Sequence, residues 1–177
     1  GSGGREHALV WKIRQSPLLN KLYCAPGNPG IEVLAQCSPI SSSDLDGLLR
    51  FALEKEIDLT VVGPEQPLAE GIVDLFEEHG LKIFGPTKGA ARLEWSKAFA
   101  KDFMQRHGIP NARYQTFTVV ERTKAVDYLH ATEYPVVLKA DGLAAGKGVV
   151  ICIDRESALD SLHQMMDEKT FGVSNDT

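Results

Sequence analysis

A chain of 177 residues, 43% apolar and 24% charged, has ordinary globular composition, with room for one large or two small domains and a real core. A formal net charge of −5 and a pI near 5.5 give no basic footprint for nucleic acid or an anionic membrane surface, so small ligands are the expected partners. Cys24, Cys37 and Cys152 are odd in number and lack metal-ligand or C-x-x-C spacing, which points away from a disulfide framework or zinc site; with no apolar run of membrane-spanning length, free thiols in a reducing cytoplasm are expected.

The stretch GSGGREHALVWKI opens on a glycine turn leading into His7, Ala8, Leu9, Trp11, Lys12 and Ile13, the pattern of the loop and first helix of a doubly wound unit. Such a unit needs a strand before its glycines. The expectation is native sequence with that strand missing, although a Gly-Ser start without methionine is also what a cloning scar leaves. As a dinucleotide fingerprint the turn is weak, because Glu6 stands where the third glycine belongs and no acidic residue closes the next strand, 21–25. The alternative is that Gly3, Gly4 and Arg5 hold the phosphate of a smaller substrate through backbone N–H groups, helix dipole and guanidinium, against a purely structural turn.

APGNPG then reads as a turn, with Asn28 solvated in preference to a ligand contact. Ser43 and Asp44 precede Leu45, Leu48, Leu49, Ala52 and Leu53, a capped amphipathic helix whose stripe is core. Residues 57–62 are a near-continuous apolar strand of the kind buried in a parallel sheet, and Glu65 follows in the crevice at its carboxyl end. That carboxylate either accepts hydrogen bonds from sugar hydroxyls or is a helix-start acid favoured by the dipole. Pro67 begins a helix carrying Leu68, Ile72, Leu75 and Phe76, closed by His79 and Gly80, with His79 a cation beside the cap and not a catalyst. A strand at 82–84 and a helical stretch through Ala90, Ala91 and Leu93 follow. Strands alternating with helices predict a small parallel sheet covered on both faces, a first domain of residues 1–93.

In residues 94–177, Ser96 caps a helix with Phe99 and Phe103 on one face and Lys97 and Lys101 on another, ended by Gly108 and Pro110. Lys97 stands open between an anion contact and a solvated face carrying an Asp102–Arg106 pair. A strand at 114–118 and a helix at 123–131 precede 135–153, PVVLKADGLAAGKGVVICI, two apolar strands joined by a glycine-rich connection. Lys139 shares a face with Val137, which holds its ammonium near apolar surface and favours an anion partner over an edge lysine reaching into water. Gly142, Gly146 and Gly148, with Lys147, leave the backbone free to turn N–H groups toward phosphates, or form only a flexible hairpin. A Walker A loop does not fit: three residues separate Gly142 from Gly146, Gly148 follows Lys147, and VVICI continues as a strand where a helix is required. A last helix from Glu156 turns Ala158, Leu159, Leu162, Met165 and Met166 inward, the methionines as core filling.

A glycine flap between antiparallel strands, preceded by LKADG, resembles the phosphate loop of ATP-grasp ligases. Together with GSGGREHAL, APGNPG, VVGPEQPL and FGPTKGAARLEWSKAFAKDFMQRHGIP it resembles the phosphoribosylamine–glycine ligase family across nearly all 177 residues. The resemblance implies an α/β chain: a Rossmann-like, parallel-sheet N-terminal domain (1–93) that binds phosphoribosylamine, then the first, small part of an ATP-grasp domain (94–177). It implies an ATP-dependent ligase of purine biosynthesis that joins glycine to 5-phosphoribosylamine through a glycyl phosphate, giving glycinamide ribonucleotide, ADP and phosphate. By position, Gly3, Gly4, Arg5 and Glu65 would contact phosphoribosylamine, while Lys97, Lys139, Gly142, Gly146, Lys147 and Gly148 would contact ATP, with no nucleophilic side chain among them. The ligands of Mg²⁺ are expected beyond residue 177, so the chain is expected to hold half a site and to be inactive alone. Pro29 and Gln66 stand where the family commonly has alanine. Competing readings are another ATP-grasp ligase of purine synthesis that uses formate or bicarbonate, and a non-catalytic nucleotide- or sugar-phosphate-binding module.

Overall fold

The computed structural model describes residues 1–143 and 148–168, in two compact units that divide between Ala91 and Arg92. In the first, Gly3 is the extended N-cap of α1 (Gly4–Ile13). Strand β1 (Tyr23–Cys24) pairs in parallel with β2 (Gln36–Cys37), in register Cys24 to Cys37. Between them APGNPG is more than a turn. Asn28 caps α2 (Pro29–Glu32), its side-chain oxygen accepting from the Ile31 N–H while Pro29, which has no N–H to lose, takes the first helical position. Asp44 caps α3 (Leu45–Glu54) through the Gly47 N–H, and Leu49 and Ala52 are buried as the spacing predicts.

A second parallel pair joins β3 (Thr60–Val61) to β4 (Ile83–Phe84), crossing over through α4 (Glu65–Glu70) and α5 (Ile72–Glu78). The helix expected from Pro67 starts at Glu65 instead. Pro64 is its N-cap and Pro67 falls in the first turn, where a missing N–H breaks no helical bond. Gly71, at φ +100°, divides α4 from α5. Ile72, Val73 and Phe76, all at most 3% exposed, are buried in this unit, as are Ile31, Ala52 and Leu68. Parallel ladders joined by helices are the predicted α/β architecture, here as two short pairs. Helix α6 (Lys88–Trp95) runs across the division.

In the second unit Ser96 caps α7 (Lys97–Arg106), and a 3-10 turn at Val119–Glu121 leads into α8 (Arg122–Ala131). Strands β5 (Val136–Lys139) and β6 (Val149–Cys152) pair antiparallel, Val136 opposite Cys152 and Lys139 opposite Val149, and α9 (Arg155–Met166) follows under an Asp154 cap. The hairpin's two faces differ. Val136, Leu138, Val150 and Cys152 pack on Ala125 and Leu129 of α8 and Ala158 and Leu162 of α9, with Met166 against the same cluster. On the other face Val137 (51%), Val149 (46%) and Ile151 (70%) are exposed. The strand expected at 114–118 does not form. The Tyr114 hydroxyl lies 2.7 Å from both Asp102 Oδ1 and Gln105 Oε1, which fixes the segment against α7 and away from a ladder. Among the described residues no helix is long and apolar enough to cross a membrane.

Candidate functional sites

In the first unit the glycine turn lies between the loops that follow β1 and β3. On one side Gly27 N donates to the Gly1 carbonyl (3.1 Å) and Asn28 Nδ2 to the Ser2 carbonyl (2.8 Å). On the other, Arg5 Nη1 donates to the Gly63 carbonyl (3.2 Å) and to Glu65 Oε1 (2.7 Å). Helices α1, α2 and α4 all begin at this cluster, so three sets of helix-start N–H groups and dipoles gather where the strands end. The approach is close enough to demand small residues: a Cβ on Gly30 would stand 2.6 Å from the His7 ring. Beside Gly4, by contrast, a Cβ would meet nothing within 4 Å.

Sequence reasoning assigns Gly3, Gly4, Arg5 and Glu65 to one ligand, and the fold brings them together. Arg5 and Glu65 are paired with each other, while Gly3 is engaged by Glu6. Glu6 Oε2 accepts from Gly3 N (2.7 Å), and Glu65 pairs with Arg5, whose hydrogen bond, with that of the Glu65 backbone, holds the carboxyl below the usual glutamate range. Both side chains remain accessible, 60% for Arg5 and 37% for Glu65. The arrangement offers an anion the guanidinium and the α1 start, and offers hydroxyl groups a carboxylate acceptor. Asn28, read as a solvated turn residue, proves to be the link to Ser2; Asn-Pro at a helix start was the signal for its capping role.

The second unit gathers Lys97, Lys139 and Gly142. Lys97 Nζ donates to the Gly142 carbonyl (2.9 Å), so this half-buried lysine belongs to the loop after β5 and not to a solvated helix face. Lys139 ends the open apolar row Val137, Ile151 and Val149; it lies on apolar surface as expected, but that surface faces outward. The Gly148 carbonyl accepts from Ala140 N (2.8 Å) and closes the hairpin, and Gly142 takes φ +94°. Gly146 and Lys147 lie outside the described residues. A cavity of about 1420 Å³ has Lys97, Lys139 and Asp141 in its wall together with Met104, Phe117 and Val137. The residue missed from sequence is Asp141: Oδ1 accepts from Lys97 N (2.5 Å) and Ala98 N (3.1 Å), and Oδ2 from Ser96 Oγ (2.9 Å). More than 40 residues separate these partners, and no local pattern announces such a bond. Apolar floor, two cations and a roomy cavity fit a nucleotide polyphosphate. Among the described residues no three His, Cys, Asp or Glu side chains are grouped to hold a metal ion.

Comparison with known proteins follows the same two units. Residues 1–94 match the profile of the phosphoribosylglycinamide synthetase N domain, and residues 95–177 that family's ATP-grasp (A) domain. The phosphoribosylamine–glycine ligase of Fusobacterium nucleatum is 51% identical over all 177 residues, which cover 41% of that relative. The crystal structure of the Thermotoga maritima phosphoribosylamine–glycine ligase superposes with a TM-score of 0.74 at 30% identity, over 99% of this chain and 41% of that one. A biotin carboxylase domain from Hydrogenobacter thermophilus 2-oxoglutarate carboxylase, solved with MgADP, gives the same TM-score at 21% identity, over 99% of this chain and 41% of that one; this is a likeness of fold. The chain spans about two-fifths of the length of the relatives it matches.

Proposed function

The chain belongs to the phosphoribosylglycinamide synthetase family, and we propose that it serves the ATP-dependent joining of glycine to 5-phosphoribosylamine. The observation that carries this reading is the match of both domains of that family along one chain, each around a cluster of the right chemistry. In the first unit, Gly3, Gly4 and Arg5 take the substrate phosphate and Glu65 accepts from ribose hydroxyls, its carboxylate kept ionised by Arg5. In the second, Lys97 and Lys139 face the phosphates of ATP, together with the Gly142–Gly148 connection that contains Gly146 and Lys147. The base lies on the apolar row of Val137 and Ile151.

The γ-phosphoryl of ATP passes to a glycine carboxylate oxygen, giving glycyl phosphate and ADP. The amine of phosphoribosylamine then attacks the acyl carbon, the C–N bond forms, and inorganic phosphate leaves with the acyl C–O bond electrons. Neither step needs a covalent adduct of the protein; charge neutralisation by the lysines, positioning and exclusion of water are its contributions. Mg²⁺ would neutralise further phosphate charge, and none of the described residues is assigned to hold it.

Release of ADP by the full-length protein, followed with glycine, formate or bicarbonate as the carboxylate, tests the reading. ADP formation that requires both glycine and phosphoribosylamine is expected. ADP formation with formate but not with glycine would overturn it in favour of a different purine-intermediate ligase.

A further inference from the structure

The first turn of any α-helix leaves backbone N–H groups without helical partners. At α7 their acceptors can be named individually. Ser96 Oγ accepts from Phe99 N (3.2 Å), while Lys97 N and Ala98 N both turn to the Asp141 carboxylate. Ser96, only 4% exposed, spends its hydroxyl proton on the other Asp141 oxygen. One carboxylate thus receives three donors from three successive residues. It lies at the positive end of a helix, where bonds to a carboxylate are short and strong. The next residue after Asp141 is Gly142, whose carbonyl receives the Lys97 ammonium. Lys97 is therefore held at both ends, its backbone by Asp141 and its Nζ by Gly142.

We infer that Asp141 is the positioning residue for Lys97: its carboxylate locks the start of α7 to the end of β5, so that the Lys97 ammonium is placed at the glycine connection before a nucleotide arrives. The inference rests on the reading of Lys97 as a contact to ATP. Asp141 itself touches no reacting atom. Its work is pre-organisation, which removes an ordering cost that the bound nucleotide would otherwise bear.

The test uses the full-length protein with four variants, K97A, D141A, D141N and the double variant K97A/D141A, measuring the KM of each substrate, the Kd for ATP and the melting temperature. Loss of bonds to an ionic acceptor predicts a rise of about tenfold in the KM and Kd for ATP in D141A, with the KM for phosphoribosylamine unchanged. D141N, which keeps the shape and one acceptor oxygen, should shift ATP less and in the same direction, and it decides the matter if D141A does not fold. The double variant should bind ATP no worse than K97A, because Asp141 acts through Lys97. Penalties that add in full in the double variant, or a phosphoribosylamine KM that rises as much as that for ATP, would overturn the inference. K97A without effect on ATP would overturn the nucleotide reading itself; K97A with an effect and both Asp141 variants without one would overturn the positioning role alone.

Discussion

Arg5→Ala is the substitution that most directly tests the first site. In the free protein the guanidinium bonds Glu65 Oε1 at 2.7 Å and the Gly63 carbonyl at 3.2 Å, with most of the Arg5 side chain in water. An ion pair so exposed contributes at most about 1 kcal/mol, so the melting temperature should move by no more than a few degrees. Against a substrate phosphate the same guanidinium makes charge-assisted bonds that contribute about 1.5–3 kcal/mol, which predicts a KM for phosphoribosylamine raised roughly 10- to 150-fold. Steady-state kinetics with each substrate varied in turn, on protein whose melting curve is recorded alongside, separates the two effects. Glu65→Gln should act in the same direction, raising the KM for phosphoribosylamine far more than that for ATP. The pair also has a pH signature of known sign. Arg5 holds the folded-state Glu65 carboxyl below its unfolded value, so its small stabilisation is complete above the usual glutamate range and is lost as pH falls through the lowered value. An unchanged phosphoribosylamine KM in Arg5→Ala, or an equal rise in the KM for ATP, would refute the assignment; a large fall in melting temperature would make Arg5 a structural residue.

Gly27 sits at φ +83° with the Cys37 side chain in the space a Cβ would take, so Gly27→Ala should destabilise the first unit by about 2–4 kcal/mol, and an unaltered denaturant midpoint would contradict that packing. Across the hairpin, Leu138→Ala removes an inward side chain and should cost about 2 kcal/mol, whereas Ile151→Ala, on the open face, should leave stability within about 0.5 kcal/mol and weaken ATP binding; equal melting shifts would show that both faces are packed. Thiol labelling should find Cys152, with no exposed surface, reacting only as fast as the protein opens, and Cys24 slower than a free thiol at neutral pH because burial raises its pKa; rapid labelling of Cys152 in the native protein would contradict the core described above.

What could be read from the sequence was what is local or periodic. Capping residues Asp44 and Ser96, the stripe of α3 and the glycine closing α5 all announce themselves within a few residues of their effect. The two strands of the hairpin were legible as apolar runs on either side of the glycines, and the shared face of Val137 and Lys139 follows from a period of two; the register that sets Lys139 opposite Val149 belongs to the fold. Strand β2 was not legible, since Gln36 and Cys37 form a ladder of two residues with no apolar run to mark it. The segment 114–118 misled for the opposite reason: Tyr114, Phe117 and the threonines have strand propensity, and the Tyr114 hydroxyl is engaged by α7 instead. At the sites, residue types and order pointed to Arg5 and Glu65 separately, but their bond spans 60 positions and belongs to the fold.

The helix starts also limit how each site can hold an anion. At α7 the first N–H groups are already engaged by Asp141 and Ser96, so the dipole there is neutralised from within and, under the proposed function, phosphate recognition would fall to the lysine ammonium groups. At α1 Gly3 N is engaged by a carboxylate of its own turn, Glu6, while the space beside Gly4 stays open. Backbone recognition of a phosphate therefore suits the first unit, and recognition by side-chain cations suits the second. That division matches the two ligands proposed: a single sugar phosphate that must be fixed in one orientation, and a polyphosphate whose charge shifts along its length as the γ-phosphoryl departs.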